Sequence, residues 1–202
     1  MKRALIIGGV FLAALIFAAI LAVLAGAGTY NRIVREDQGV AEAWAQVQNV
    51  YQRRADLVPN LVATVSGAAS FEKSTIVAVT EARASVGKVQ IGAGQLPTAE
   101  QMQAFQKAQD GLGAAISRLL VVSENYPQLR ATEAFRDLQT QLEGTENRIS
   151  VERGKFNSAA QAYNSHIKSL FLPVIVARLG GFQPRAYFQA NPGAESVPKV
   201  QF

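Results

Sequence analysis

Residues Ala4 to Gly28 form 25 consecutive positions without a charged or strongly polar side chain. As a helix this run extends about 37 Å, more than the roughly 30 Å hydrocarbon core of a bilayer. A helix apolar on every face leaves no side for water, so it belongs in a membrane or in the centre of a large core. Its flanks favour the membrane. Lys2 and Arg3 precede it, and Tyr30, Arg32 and Arg35 follow, with the tyrosine suited to a half-wet interface. A cleaved signal peptide is the competing reading, because Ala25-Gly26-Ala27 satisfies the small-x-small rule. The run is longer than the roughly 7–15 apolar residues of such a signal, which favours an uncleaved anchor. Two cations stand at each end, so charge alone does not orient the span. The short leading tail points to a cytoplasmic N-terminus, with the body outside or in the periplasm.

Composition narrows the chemistry. There is no Cys and only one His among 202 residues. Thiolate nucleophiles, disulfides, Cys-ligated metals and multi-His metal sites are therefore excluded. The net charge of +5 first suggests nucleic acid or an anionic surface. Lys2 and Arg3 supply two of those charges, which leaves 18 basic against 15 acidic residues. No like-charge block or basic stripe interleaved with aromatics is present, so a nucleic-acid partner is not expected.

From Asn31 onward the apolar residues recur with helical period. Ile33, Val40, Trp44, Val47 and Tyr51 share one stripe. Val58, Val62, Val65, Ala69, Ile76, Val79 and Val86 form a second, placed after Pro59. Met102, Phe105, Leu112, Ile116 and Leu119 form a third. Phe135, Leu138, Leu142, Ile149, Phe156, Tyr163, Ile167 and Leu170 form a fourth. Steps of three and four give neighbouring helices that cross at about 20°, as in bundles and coiled coils. Breaks are expected at Arg53 to Pro59, where proline disfavours helix, and at the glycine-rich Gly87 to Pro97. Glu124 to Pro127 reads as a turn. Thr98 with Gln101 is a capping box, and Thr132 can cap the last long helix. The predicted fold is all-α. A transmembrane helix over 1–29 precedes an antiparallel up-and-down four-helix bundle over 30–179, and an irregular, extended or mobile tail covers 180–202.

Polar side chains on these stripes are the candidates for chemistry. Asp37, Arg83, Gln109, Thr145 and Glu152 fall where the period asks for apolar groups. Arg83 with Glu152 or Asp37 would pair as a buried polar layer that fixes register. A carboxylate di-iron site would need Glu-x-x-His, and Tyr163 stands three before the only histidine, His166. His166 reads as a surface or stripe-edge residue. Ser123 and Ser165 lie in no nucleophile elbow, and the glycines at 92, 94, 111 and 113 follow no strand, so no catalytic residue or cofactor loop is expected. Arg53, Arg54 and Asp56 sit at the expected break. They either complement helix dipoles locally or form a docking surface for an anionic partner or lipid head group. The terminal Val200-Gln201-Phe202 has the form of an end captured by strand addition in PDZ-type grooves.

An ordered set of segments then carries a resemblance. Tyr30-Asn31 follows the anchor, and Trp44 precedes Gln52-Arg53-Arg54-Ala55-Asp56-Leu57-Val58-Pro59-Asn60-Leu61-Val62. Thr80-Glu81-Ala82-Arg83, Ser123-Glu124-Asn125-Tyr126-Pro127, Leu138-Gln139 and Thr145-Glu146-Asn147-Arg148-Ile149 follow in turn. Phe156-Asn157, Tyr163-Asn164 and Gly181-Phe182 complete it. The chain resembles the LemA family of bacterial membrane proteins over essentially its whole length. The resemblance implies one N-terminal membrane helix and an antiparallel helical bundle, and it carries over no catalytic residues. Magnetosome-associated relatives accord with an assembly or adaptor role at a membrane. One departure is that Phe171-Leu172-Pro173 inserts a residue where relatives carry Phe-Pro after the last helix, and an apolar run follows to Val176. The expected function is a membrane-anchored, non-enzymatic interaction or scaffold module without cofactor, with the bilayer and an unidentified protein as partners. The alternative is a signal-cleaved soluble periplasmic bundle that binds a ligand or protein.

Overall fold

The computed structural model describes residues 2–68, 71–89, 91, 92 and 94–189, with the backbone alone for 2–6. Ala69 of the second stripe, the end of the tail and Val200-Gln201-Phe202 lie outside the described residues. Among those described the chain is helical, with no strand. Helix α1 spans Lys2–Ser66, α2 Lys73–Gly87, α3 Ala99–Ser123, α4 Pro127–Arg130, α5 Glu133–Ile167 and α6 Leu172–Leu179. The chain divides into two compact units. One holds residues 1–40 and 159–184, and the other 41–158 and 185–202.

Helix α1 does not break between Arg53 and Pro59. It runs through Pro59 to Ser66, and the interruption falls before Lys73 instead. Two physical reasons outweigh the proline. First, the three-and-four stepping of Ile33, Val40, Trp44, Val47, Tyr51, Val58, Leu61 and Val65 stays in phase across it, and all eight are buried. A break would have reset that phase. Second, proline removes one amide donor and so frees the carbonyl four residues earlier, that of Ala55. Arg83 of α2 donates its Nε to this carbonyl at 3.0 Å. The freed acceptor is satisfied from a neighbouring helix, and Pro59 itself is exposed.

The larger unit is organised around one apolar cluster. Leu57, Val58, Leu61 and Val65 of α1 meet Val79 of α2, Leu112, Ile116 and Leu119 of α3, Leu129 of α4, and Phe135, Leu138 and Leu142 of α5. Each such side chain, fully buried, contributes about 1.5–3 kcal/mol relative to exposure. The α3 boundary is set locally. The Thr98 hydroxyl accepts from the Gln101 amide, and the Gln101 side chain accepts from the Thr98 amide, a reciprocal capping box. Thr132 accepts from the Phe135 amide at the start of α5. The turn at Glu124 to Tyr126 leads into the short α4, which buries Leu129.

The segment after Gly181 is irregular, as expected, but its described part is not free. Phe188 is buried against Trp44, Phe105 and Phe156, with ring centroids 6.1, 6.5 and 5.5 Å away. Asn157 clamps its backbone, donating from Nδ2 to the Phe188 carbonyl at 3.0 Å and accepting its amide at 2.9 Å. Arg153 stacks over the same ring at 4.8 Å. Aromatic burial and a two-point hydrogen-bond clamp offset the ordering cost that a proline-rich tail would otherwise avoid.

Candidate functional site

The site is built on Arg54. Stepping from Val47 by four to Tyr51, by three to Arg54 and by four to Val58 puts this arginine on the buried stripe of α1. It is only 4% exposed. A buried guanidinium is costly unless its donors are used. Here Nη2 donates to both the backbone carbonyl and the side-chain oxygen of Gln109 on α3, at 2.7 and 2.8 Å. Nη1 donates to Glu146 Oε2 on α5 at 2.9 Å. Its carbon stands 5.1 Å from the centre of the Tyr51 ring. Nε is buried and has no hydrogen-bond partner among the described residues. One residue therefore ties three helices together through a planar fork, which a lysine would not reproduce.

Neighbouring residues make room for it. A Cβ at Gly113 would stand 3.3 Å from Arg54 Nη1, tighter than an ordinary contact. Glycine inside α3 is less favourable than alanine by about 1 kcal/mol, and this approach gives the physical reason for it. Burial pushes the Tyr51 phenol above its usual pKa, and the nearby Arg153 and Arg54 partly pull it back. A cleft of roughly 440 Å³ opens beside the arginine between α3 and α5. Asp110, Glu143 and Glu146 are among its polar lining, and Ile116, Leu120 and Leu142 supply apolar walls. Chemically the arrangement can fix helix register, and its cleft presents acidic groups beside an apolar floor. No group of three or more His, Asp or Glu placed to hold a metal occurs among the described residues.

The sequence-predicted residues distribute differently from expectation. Arg53, Arg54 and Asp56 do not form one surface: Arg54 turns into the core, while Arg53 and Asp56 are exposed. Asp56 accepts from Gln52 Nε2 one turn earlier, at 2.7 Å. Asp37, Arg83 and Glu152 do not form a buried layer either. Arg83 is exposed and serves the Ala55 carbonyl. Glu152 and Asp37 are each half-buried, and Glu152 pairs with the exposed Lys155 at 2.8 Å. The long arm of Arg83 reaches water from a stripe edge, which is cheaper than burial. Of the polar stripe positions, Gln109 and Thr145 are the ones that are buried. Thr145 satisfies its hydroxyl on the Gln141 carbonyl at 2.7 Å.

Two partners were not visible from spacing within one helix. Glu146 lies one residue past the stripe position Thr145 and is 63% exposed at its side chain, so periodicity ranks it as surface. His166 meets a carboxylate from another helix: its Nδ1 is 2.7 Å from Glu36 Oε2, and that glutamate also pairs with Arg32. The Arg54 signal was present, because the unbroken stripe through residue 54 marks that position as internal.

The chain is 26% identical over 203 residues to magnetosome protein MamQ 2 of Paramagnetospirillum magneticum, covering 91% of this chain and 74% of that one. It is 25% identical over 183 residues to magnetosome protein MamQ of Magnetospirillum gryphiswaldense, covering 83% and 67%. It is 21% identical over 165 residues to protein LemA of Metamycoplasma hominis, covering 81% and 70%. Residues 43–202 match the LemA family, a stretch that contains Arg54, Arg83, Gln109, Glu146 and Asn157, and the chain belongs to that family.

Proposed function

We propose that this protein is a single-pass inner-membrane protein that displays a helical-bundle interaction module, without catalysis, on the periplasmic side. One observation carries the reading. Within the single helix α1, the large apolar side chains from Ile7 to Leu24 are exposed, and burial of the apolar stripe begins at Ile33. The helix is long and apolar enough to cross a membrane, and its apolar window has no buried share. At about 25 cal/mol per Å², so much apolar surface is strongly unfavourable in water and favourable in lipid. The uninterrupted course of α1 past Ala25-Gly26-Ala27 supports an uncleaved anchor. The magnetosome names of two relatives are consistent with a role in membrane-associated assembly. Arg53 and Asp56, exposed on the outer face of α1, are the residues we assign to partner docking.

The test is membrane extraction followed by protease protection. The protein is expected to stay in the pellet after alkaline carbonate, and release into the supernatant overturns the anchor. In intact spheroplasts a C-terminally tagged chain is expected to lose its body to added protease. Protection until the membrane is breached would place the body in the cytoplasm instead.

A further inference from the structure

Outside the span, the densest group of exposed large apolar side chains among the described residues lies within ten positions. Leu170, Phe171, Ile175 and Leu179 are 80, 83, 54 and 85% exposed. Phe171, Ile175 and Leu179 follow at intervals of four, so they line one side of α6 and the turn before it. Phe171 has a φ of 65°, in the left-handed region that a bulky side chain seldom adopts. Its ring is exposed all the same. Isolated exposed apolar residues need no explanation, but a contiguous stripe does.

Two contacts within the smaller unit locate this stripe. At the end of α5, His166 bonds to Glu36 of α1. After α6, the Phe182 ring packs on Tyr30 of α1 at 5.5 Å. Gly28 ends the apolar run, so along the α1 axis these contacts sit about 12 Å and about 3 Å beyond it, at 1.5 Å per residue. The chain thus leaves α5 just above the span and returns to α1 at the interfacial tyrosine. Helix α6 is held between those two points. Tyr163 fixes the return by donating its hydroxyl to the Gln183 carbonyl at 3.1 Å. The opposite side of α6 faces protein, where Ala177 is buried. Lys168 and Arg178 flank the exposed stripe, and both are exposed.

We infer that α6 is a second membrane contact, a short helix lying in the bilayer interface beside the span, with Phe171, Ile175 and Leu179 sunk among the acyl chains and Lys168 and Arg178 on anionic head groups. This rests on the membrane-anchored reading above. The occupant follows from continuity, since the contacts at Tyr30 and Glu36 hold the stripe near the end of the apolar run of α1, the only helix among the described residues that is long and apolar enough to cross a membrane. It follows also from chemistry, since apolar groups bordered by cations match the boundary between acyl chains and acidic head groups.

The absence of Cys makes the test direct. Single variants Phe171→Cys, Ile175→Cys and Leu179→Cys of the full chain would carry an environment-sensitive fluorophore. Each is reconstituted in vesicles of phosphatidylethanolamine and phosphatidylglycerol. Quenching by nitroxide-labelled lipid is compared with quenching by aqueous iodide. Leu15→Cys in the span and Val121→Cys on exposed α3 give the lipid and water references. The inference expects the α6 positions to lose iodide quenching and gain lipid quenching as Leu15→Cys does. If Leu15→Cys is lipid-quenched while the α6 positions behave as Val121→Cys, the interfacial helix is overturned and the anchor stands. If Leu15→Cys is itself quenched by iodide, the anchor fails and the inference falls with it. Positions quenched by neither agent mark a protein interface, which also overturns it.

Discussion

A single arginine carries more structural consequence here than its exposed neighbours. Arg54 connects α1 to Gln109 of α3 and Glu146 of α5, and three polar contacts and a ring surround its guanidinium. Replacing it with alanine leaves the Gln109 side chain buried without its donor and opens a void, and is expected to cost about 2–4 kcal/mol. Arg54→Met keeps the aliphatic volume and should lose less. Glu146→Gln should cost under about 1 kcal/mol, because that carboxylate is mostly in water, where ion pairs are screened. Urea denaturation of the detergent-solubilised chain, followed by circular dichroism, ranks the three. An equal loss for Glu146→Gln and Arg54→Ala would mean that the ion pair, not the buried hydrogen bonds, dominates. Grouped with Arg53 and Asp56, the residue was expected to complement a helix dipole or to join a docking surface; its step from Tyr51 towards Val58 was the unused sign of burial. Phase was the better guide, since it reports burial directly, whereas a charged tripeptide reports only composition.

At the scale of elements, proline and phase compete, and phase wins in α1. Expecting a break at Pro59 weighed the lost amide without asking who would take the Ala55 carbonyl. That answer lies 28 residues away in Arg83, and no local pattern contains it. The pairing makes a coupled prediction. Arg83→Ala should destabilise the native chain by about 1 kcal/mol, since it orphans a backbone acceptor. In a Pro59→Ala background the alanine amide supplies the helical bond, and the same Arg83→Ala change should cost close to nothing. A double-mutant cycle measures that coupling. Equal costs in both backgrounds would show that Arg83 acts through some other contact. The stripes of α3 and α5, the Thr98 capping box and the loop after Gly87 were legible because their determinants are local. The pinning of Phe188 by Asn157 and Trp44 was not, because an irregular segment has no period to reveal its buried side.

For the whole molecule, the large division was legible from hydropathy and period: an uncharged run, then amphipathic helices. What period cannot supply is which stripe meets which. It gives each helix a buried side but no identity for the neighbour. That is why Asp37, Arg83 and Glu152 could be assigned to a layer that the fold does not build. The segments that carried the family resemblance, around Arg54, Arg83, Glu146 and Asn157, are the ones whose partners lie on other elements. The aromatic nest around Trp44 has an optical consequence. Its indole is 3% exposed, lies 5.2 and 5.6 Å from Phe105 and Phe156, and has a buried N–H without an acceptor among the described residues. An indole so shielded emits at the blue end of its range, and it is the one tryptophan in the chain. Its emission should shift to the red when Phe188→Ala loosens the nest or when denaturant opens the body. Because the span contains no tryptophan, that colour change reads the body alone, even with the protein embedded in lipid.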